Sequence, residues 1–355
     1  MAGLADLLKK DKLLAKELVD IDELKNRKEE YISTNVMALN LLYSGKIDGG
    51  VPIGGRAVIS AQSMTGKSFL SLGIIRNSLR MGKLTVLFDT ELAFDPVLAK
   101  AIGIDVDDPN FKLFRGPAIE KVKQNLMRIN EVIPREQKRD VVYVLDSFGP
   151  LVSSKTVNDA ISGKDVKDMT LTQKKNELCN LLLMTESTIF VVNHVITNIG
   201  GMGDPLSIPG GNKLIFNFDS IVLGRSKAKD TREVKGMKEI EGYIVTAVNH
   251  KARGCKENAK LKYRIKVNGG LDPFYGLLPD AIDMGYVEMA SSGWYTRPVV
   301  AEDKKWRERD LYTAEFWTPI FADTDFKDAL ERKYSYTAGD VLDIAEGFDF
   351  GDGDI

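Results

Sequence analysis

The segment from residue 57 to residue 75 combines an apolar strand pattern, a short polar loop and an amphipathic helix pattern. The loop ends in Gly66, Lys67 and Ser68. Backbone N–H groups of such a loop and the start of the following helix bind phosphate oxygens, the lysine reaches the β and γ oxygens, and the serine hydroxyl binds Mg²⁺. The sequence therefore predicts a nucleotide site with Mg²⁺. Its loop residues are Ala61, Gln62, Ser63, Met64, Thr65, Gly66, Lys67 and Ser68.

Ala61 departs from the usual pattern of this loop, which begins with glycine. A Cβ atom is tolerated at that position when the residue keeps a negative φ. We therefore expect Ala61 to adopt an ordinary backbone conformation and the loop to keep its shape.

Two carboxylates end other apolar strand patterns and are expected near the same loop. Asp146 closes VVYVLD, where it can hold the water shell of the metal beside Ser68. Its alternative role is to cap the loop after the strand. Glu91 closes LTVLFDTE and is the candidate for orienting the attacking water. Asp89, two residues earlier, is the alternative for that role.

Apolar runs of strand length alternate with helical stretches between residues 57 and 224. They read AVIS, LTVLFD, VVYVLD, TIFVVN and SIVLG. Strands that are apolar on both faces and separated by helices predict an α/β fold with a mostly parallel central sheet. Segments 242–251 and 260–267 alternate polar with apolar residues, which predicts antiparallel strands at one edge. A helix is expected over residues 5–30.

Charge is distributed unevenly over the 355 residues. Six acidic residues and no basic ones follow Lys333, and without these six the formal net charge of −2 becomes +4. This pattern is typical of a mildly basic body with an acidic tail that either binds partners or only aids solubility. Two cysteines are too few for a disulfide framework, and no apolar segment has the length of a membrane span, so we expect a cytoplasmic protein.

The ordered motifs resemble the RecA recombinases over residues 33–298. They read AxxxxGKS, LFDTELAFDP, VLDSFGPL, NHVITNIGGM with PGGNKL, and NGGLDPFYG. GWYTR and EFW, near the C-terminus, resemble the UvsX-type recombinases of T-even phages. DnaB-type helicases share the first motifs but lack NHVITNIGG and GGNKL. The resemblance implies a RecA-type P-loop ATPase core at 33–285, an N-terminal polymerisation helix at 1–32, a small C-terminal region at 286–337 and an acidic tail at 338–355.

The resemblance also implies catalytic roles for five residues. Glu91 would activate water, Lys67 would bind the phosphates, and His194 would sense the γ-phosphate where bacterial relatives have glutamine. An imidazole N–H can donate one hydrogen bond to a phosphate oxygen. Lys251 and Arg253 would enter the active site of the neighbouring subunit and neutralise charge on the transferred phosphoryl group.

Other interpretations of these residues stay open on the sequence alone. His194 could be a structural histidine, and Lys251 and Arg253 could be ordinary surface charges. Leu98 stands where bacterial relatives stack a tyrosine on adenine. It offers only an apolar contact to the bound nucleotide, so selectivity for adenine is left open.

Two DNA-binding loops are implied by the same resemblance, at residues 153–168 and 195–212. The second has no lysine or arginine before Lys213, so its glycines would offer backbone N–H groups and its apolar side chains would insert between bases. Positive charge would come from lysines near the first loop or from the stretch 225–238, which could instead form a solvated hairpin. The predicted DNA-binding residues are Lys155, Lys164, Lys167, Lys174, Lys175, Ile199, Gly200, Gly201, Met202, Gly210, Gly211 and Asn212.

The function that these features imply is ATP-dependent DNA strand exchange in recombination, repair and recombination-dependent replication. ATP and Mg²⁺ are the implied cofactors. The implied partners are single-stranded DNA, homologous duplex DNA, further copies of the chain in a helical filament, a single-strand-binding protein and a loader. The alternatives are a ring helicase on the same core and a filament or signalling ATPase that does not recombine DNA.

Overall fold

The computed structural model describes residues 21, 28–163, 168–197, 206–234, 236–300, 302 and 304–336. The chain divides into a short unit, Met1–Glu30, and a large unit, Tyr31–Ile355. Most of the helix predicted at 5–30 and all of the tail predicted at 338–355 lie outside the described residues. The predicted phosphate-binding loop, residues 61–68, and the sheet belong to the large unit.

Strands and helices alternate along the large unit. The strands are β1 (Tyr31–Ile32), β2 (Val51–Pro52), β3 (Arg56–Ser60), β4 (Leu84–Asp89), β5 (Phe111–Arg115), β6 (Val141–Asp146), β7 (Thr188–Asn193), β8 (Ile196–Thr197), β9 (Leu206–Ser207), β10 (Ser220–Val234), β11 (Met237–Ala252), β12 (Lys260–Lys266), β13 (Gly270–Leu271), β14 (Glu288–Ser291), β15 (Trp294–Thr296) and β16 (Trp306–Arg307). The helices are α1 (Met37–Ser44), α2 (Lys67–Arg80), α3 (Pro96–Ile102), α4 (Ile119–Val132), α5 (Ser154–Ile161), α6 (Leu171–Met184), α7 (Gly211–Asn217), α8 (Leu278–Asp283), α9 (Ala314–Phe321) and α10 (Thr324–Tyr334), with 3₁₀ turns at Arg135–Asp140 and Glu308–Asp310.

Nine of the described strands form one sheet in the order β13-β12-β11-β10-β3-β7-β6-β4-β5. Neighbouring strands are parallel from the start of β10 across to β5. From β10 to β13 they are antiparallel. The predicted α/β fold, with a mostly parallel centre and an antiparallel edge, is confirmed.

Successive side chains of the central strands enter two different cores, because side chains alternate between the faces of a sheet. In β6, Val142 and Val144 pack in the core that contains α1 and α2. Tyr143 and Leu145 pack in the core that contains α4 and α6. Both faces of the sheet are therefore covered by helices, which explains why these strands are apolar at almost every position.

The antiparallel edge is dominated by a long hairpin. Strands β10 and β11 pair from Ser220 with Ala252 to Val234 with Met237. Only the first four residues of β10 also pair with β3, so most of the hairpin extends past the parallel strands. The hairpin interpretation of the stretch 225–238 is confirmed by this register.

Strand β5 and the C-terminal elements had no counterpart among the predicted strands. Strand β5 lies at the sheet edge, where charged residues break its apolar pattern, as is common for edge strands. Strands β14, β15 and β16 form a separate sheet of the described residues. Helices α9 and α10 bury Trp317 and Phe326 in the same core as α1.

From the sequence we expected no disulfide framework and no membrane span. Cys179 and Cys255 are both buried and free. Among the described residues, no helix has both the length and the apolar character needed to cross a membrane.

Candidate active site and nucleic-acid interface

The carboxyl ends of β3, β4, β6 and β7 meet at one edge of the sheet. Ser60 at the end of β3 pairs with Asn193 at the end of β7. Asp89 at the end of β4 pairs with Asp146 at the end of β6. The loops that follow these four strands therefore converge, and they carry most of the predicted catalytic residues.

The phosphate-binding loop has the backbone that a tight turn into a helix requires. Gly66 precedes α2 in a left-handed conformation, with φ of 84°. Met64 is also left-handed, with φ of 60°, and its side chain is exposed. Ala61 is not among the described residues with positive φ, so the expectation of an ordinary backbone at Ala61 is confirmed.

The methyl group of Ala61 is accommodated by a glycine on the neighbouring strand. Ala61 is fully buried. A Cβ atom placed on Gly224 of β10 would lie 2.7 Å from the Cβ of Ala61, a distance that real side chains avoid. The missing side chain at Gly224 therefore makes room for alanine at the first position of the loop.

Lys67 is buried at the start of α2 and folds back onto its own loop. Its Nζ donates a hydrogen bond of 2.7 Å to the carbonyl oxygen of Gln62. Burial lowers the pKa of Lys67, and the negative charges of Glu91 and Asp146 act in the opposite direction. The amine thus lies in the field of both candidate carboxylates.

Glu91 joins the ends of β6 and β7 through hydrogen bonds to one of its oxygens. Oε1 accepts a hydrogen bond from Ser147 Oγ at 2.5 Å and lies 2.9 Å from His194 Nε2. Burial favours the neutral acid, but these hydrogen bonds and the charges of His194 and Lys67 hold the pKa of Glu91 below its usual range. Glu91 is therefore ionised at neutral pH.

Asp89, the alternative to Glu91, is engaged in holding the loop after β4. Its side chain is buried and accepts hydrogen bonds from the backbone N–H groups of Ala93 and Phe94, at 3.0 and 3.1 Å. Arg115 Nε donates a third, at 3.0 Å. These contacts use both oxygens of Asp89, whereas the described hydrogen bonds of Glu91 use only Oε1. Glu91 is therefore the better candidate of the two for orienting a water molecule.

Asp146 faces Ser68 across a small cavity of about 60 Å³ that Glu91 and Leu98 also border. Asp146 Oδ2 accepts a hydrogen bond of 2.9 Å from Ser71. Burial raises the pKa of Asp146 to about 6, against the effect of that hydrogen bond. Within the described ranges no cluster of three or more His, Cys, Asp or Glu could hold a metal. A Mg²⁺ held by one hydroxyl, one carboxylate and substrate phosphates needs no such cluster.

Leu98 lies on α3 and is partly exposed. It borders the small cavity and also a larger groove of about 960 Å³, which Phe69 and Val267 border as well. Leu98, Phe69 and Val267 contribute apolar side chains to this groove, whose lining also includes the charged residues Asp48 and Arg76. Because residue 98 is leucine, it supplies no aromatic ring that could stack on a base.

Lys251 and Arg253 are held by their own chain, away from the phosphate-binding loop. Lys251 Nζ donates to the carbonyl oxygens of Ile215 and Phe216 at the end of α7, at 2.8 and 3.0 Å. Arg253 is exposed and pairs with Asp219 at 3.1 Å. Neither cation borders the described cavities beside that loop.

The predicted DNA-binding lysines differ in their exposure and in the contacts that their side chains make within the chain. Lys155 on α5 is exposed. Lys174 on α6 forms ion pairs with Asp168 at 2.8 Å and Glu120 at 3.0 Å. Lys175 is partly buried and donates to the carbonyl oxygen of Gly149 at 2.8 Å, which leaves Lys155 as the most available cation of the three.

The second predicted DNA-binding loop begins directly after His194, one of the candidate catalytic residues. Strand β8 begins two residues after His194 and pairs antiparallel with β9. Gly210 and Gly211 are left-handed and lead into α7, and Asn212 is exposed. The remaining predicted DNA-binding residues lie outside the described residues. They are Lys164, Lys167, Ile199, Gly200, Gly201 and Met202.

Two supporting side chains, Ser71 and Thr90, were not predicted as part of the site. Ser71 binds Asp146 and lies one helical turn after Lys67, a spacing that places both on one helix face. Thr90 Oγ1 donates to the carbonyl oxygen of Ser147 at 2.6 Å and accepts from its N–H at 2.8 Å. Ser147 in turn donates to Glu91. The Ser71 spacing could have been read from the sequence, whereas the Thr90 contact joins separate strands.

Comparison with known protein families agrees with this geometry. The RecA N-terminal domain model matches residues 6–264, which is most of the chain. The chain belongs to the RecA family. A second model, the C-terminal domain of the bacteriophage T4 recombination and repair protein, matches residues 274–330. The RecA-family core is therefore joined to a C-terminal region similar to that of a phage protein.

Individual members of the family are also similar to this chain over most of its length. The chain is 26% identical over 333 residues to the recombination and repair protein of Enterobacteria phage T4, covering 90% of this chain and 82% of the relative. It is 27% identical over 273 residues to protein RecA of Heliobacterium modesticaldum, covering 75% of this chain and 74% of the relative. As a RecA-family member it is a nucleotide-binding recombinase and a DNA-dependent ATPase of recombination and repair.

Proposed function

We propose that this RecA-family chain forms an ATP- and Mg²⁺-dependent helical filament on single-stranded DNA and exchanges strands with a homologous duplex. One observation carries the proposal. Glu91 borders the same cavity as Ser68 and Asp146 and contacts His194, which immediately precedes the second loop. The proposed hydrolytic site is thus hydrogen-bonded to the residue that immediately precedes the proposed DNA-binding loop.

The residues present fit the nucleotide and its metal. Lys67 and the loop backbone would bind the phosphates, and Ser68 would bind Mg²⁺ with Asp146 behind its water shell. Asp146 is partly buried and has a raised pKa, so a cation in the cavity would favour its ionised form. When bound, Mg²⁺ supplies positive charge against the negative charge that develops on the transferred phosphoryl group.

Glu91 is proposed to orient and deprotonate the attacking water. Its lowered pKa keeps it ionised, so its free oxygen can accept a proton, while Oε1 stays anchored by Ser147. His194 is proposed to exchange its contact with Glu91 for one with the γ-phosphate. Because the second loop follows His194, this exchange would link the state of the nucleotide to the loop.

Lys251 and Arg253 are proposed to complete the site of the neighbouring subunit. Lys251 lies at the end of β11 and Arg253 directly follows that strand, and their present partners are carbonyl oxygens and the carboxylate of Asp219. Contact with the neighbour's phosphates would replace these contacts. Hydrolysis would then depend on assembly, and loss of phosphate would weaken the interface.

The DNA contacts are proposed to come from both loops. Lys155 would supply charge, and the glycines at 210–211 would present backbone N–H groups to phosphate. The residues outside the described ranges, Ile199 and Met202 among them, are proposed to insert between bases. A single-strand-binding protein and a loader are proposed further partners, and the cytoplasm is the proposed location.

A strand-exchange assay tests the proposal. Purified protein, a circular single strand and a homologous linear duplex should give joint products only with ATP and Mg²⁺. Lys67→Ala should abolish both turnover and exchange, because no other amine of the loop can reach the phosphates. Unwinding without exchange would favour a ring helicase. ATP-dependent assembly with no exchange would favour a filament or signalling ATPase, and either result would contradict the proposed function.

A further inference from the structure

Lys227, in the basic stretch of the hairpin, reaches the phosphate-binding loop of its own chain. Its Nζ donates a hydrogen bond of 3.0 Å to the carbonyl oxygen of Ser63. The same amine lies 4.9 Å from the centre of the Tyr243 ring on β11. The ring holds the lysine in a cation–π contact, which directs its charge toward the loop instead of solvent.

The packing of the sheet explains why the hairpin comes so close to the loop. Gly224 allows β10 to pass against Ala61, and Lys227 follows three residues later, opposite Ser63. On β12, Tyr263 Oη donates to the carbonyl oxygen of Thr65 at 2.8 Å. The antiparallel edge therefore contacts the loop at two of its carbonyl groups.

Lys227 and Lys67 bind adjacent carbonyl groups of the same loop. Lys67 Nζ contacts the carbonyl oxygen of Gln62, and Lys227 Nζ contacts that of Ser63. The positive charge of Lys227 is one of the influences that lower the pKa of Lys67, after burial. Two amines that repel each other across a phosphate-binding loop are stabilised together by an anion placed between or beside them.

We propose that Lys227 is a second phosphate-binding cation of the nucleotide site, supplied in cis by the β10–β11 hairpin. The inference rests on the proposed use of the loop for nucleotide binding. It gives one residue of the basic stretch a role in binding the nucleotide and not DNA. It also makes the β10–β11 hairpin part of the nucleotide site, although the sequence motif that predicted this site does not include the hairpin.

Nucleotide affinity without DNA tests this inference. Titration calorimetry with ATP, ADP and AMP in excess Mg²⁺ would compare the parent with Lys227→Met, which keeps the length of the stem but removes the charge. We expect ATP and ADP to bind on the order of tenfold more weakly, and AMP to change less than about twofold, because the effect scales with phosphate charge. The loss should shrink at high salt, since Lys227 is only partly buried.

Two further variants serve as controls. Lys229→Met removes an exposed lysine two residues along the same strand and should bind like the parent. Lys227→Arg retains the charge and should keep most of the affinity. Equal ATP affinity for Lys227→Met and Lys229→Met would overturn the inference, as would an equal loss for ATP and AMP, which would mean that Lys227 only supports the shape of the loop.

The outcome is separable from that of the proposed function. If the parent chain failed to bind ATP, the proposed function would fail. If the parent bound ATP and Lys67→Ala did not, while Lys227→Met bound as the parent does, only the role of Lys227 would be wrong. Thermal unfolding of each variant would show whether a lost affinity reflects lost structure.

Discussion

Glu91 Oε1 lies 2.9 Å from His194 Nε2, so a carboxylate after β4 contacts an imidazole after β7. The two strands are not neighbours, because β6 lies between them in the sheet. Ser147, after β6, fills the gap and donates to the same oxygen. Three consecutive strand ends of the sheet are thereby tied to one carboxylate oxygen, and the other oxygen is available for water.

Glu91→Gln should separate nucleotide binding from hydrolysis. Glutamine keeps the size and hydrogen bonding of glutamate but cannot accept the proton, so we expect turnover to fall on the order of 10²–10³-fold with ATP and DNA binding retained. Steady-state hydrolysis and filter binding would measure the two effects. Asp89→Asn is the matched comparison. It should lower stability by loosening the loop after β4, and if it alone gave the binding-competent, inactive pattern, the assignment of Glu91 would be wrong.

The Ala61 and Gly224 pair gives a stability prediction. Gly224→Ala adds a Cβ 2.7 Å from that of Ala61, and overpacking of this kind costs about 1–3 kcal/mol of unfolding free energy. The cost should be smaller when Ala61→Gly is present, since the opposing methyl is then absent. Urea unfolding of the two single variants and the double variant measures this coupling. Additive effects would show that the two positions do not share one space.

The central strands could be predicted because each carries its own apolar pattern in the sequence. Strand β6 is apolar on both faces, and its pattern and the Asp146 that ends it can be read without knowing the neighbours. The same holds for the loop around Lys67. Strand β5 was missed because an edge strand exposes one side and carries charge there. Strands β14, β15 and β16 have only four, three and two residues, which is too short for a period-2 pattern to mark them.

Contacts across the sheet were not predictable from one sequence. Thr90 is an ordinary buried threonine until β4 and β6 are paired and its hydroxyl meets the backbone of Ser147. Lys227 was one of many charges in a basic stretch until the register of β10 placed it beside Ser63. Both depend on strand order and register, which are set by the packing of the whole core.

Asp146→Asn should stabilise the nucleotide-free protein at alkaline pH. Burial raises the pKa of Asp146 to about 6, above its ordinary value near 4. An acid whose pKa is higher in the folded state destabilises the fold when it is ionised, and this cost disappears as the pH falls toward 4. The variant should gain about 3 kcal/mol of unfolding free energy at pH 8 and little at pH 4.5. A gain of the same size at both pH values would rule out ionisation as the cause.

Deletion of residues 340–355 should strengthen DNA binding or speed filament nucleation. The six acidic residues of the tail compete with DNA phosphates for the basic body, and the effect should shrink as salt screens it. Fluorescence anisotropy with a labelled single strand would measure affinity at two salt concentrations. A full-length chain with those six residues changed to Asn or Gln is the control for length. Unchanged binding by both variants at low salt would leave solubility or partner recruitment as the role of the tail.

Lys251 and Arg253 offer a test of assembly and catalysis together. If they act on the neighbour's nucleotide, Lys251→Ala or Arg253→Ala should leave ATP binding by an isolated subunit nearly intact and sharply lower DNA-stimulated turnover. Each variant should then be complemented by Glu91→Gln in a mixed filament. Some interfaces would combine an intact Glu91 on one subunit with intact cations on the next, so turnover should partly return on mixing. Co-assembly on single-stranded DNA would be checked by labelling the two variants with different fluorophores. Mixtures that co-assemble without any recovery of turnover would contradict a shared site and return both residues to the role of surface charges.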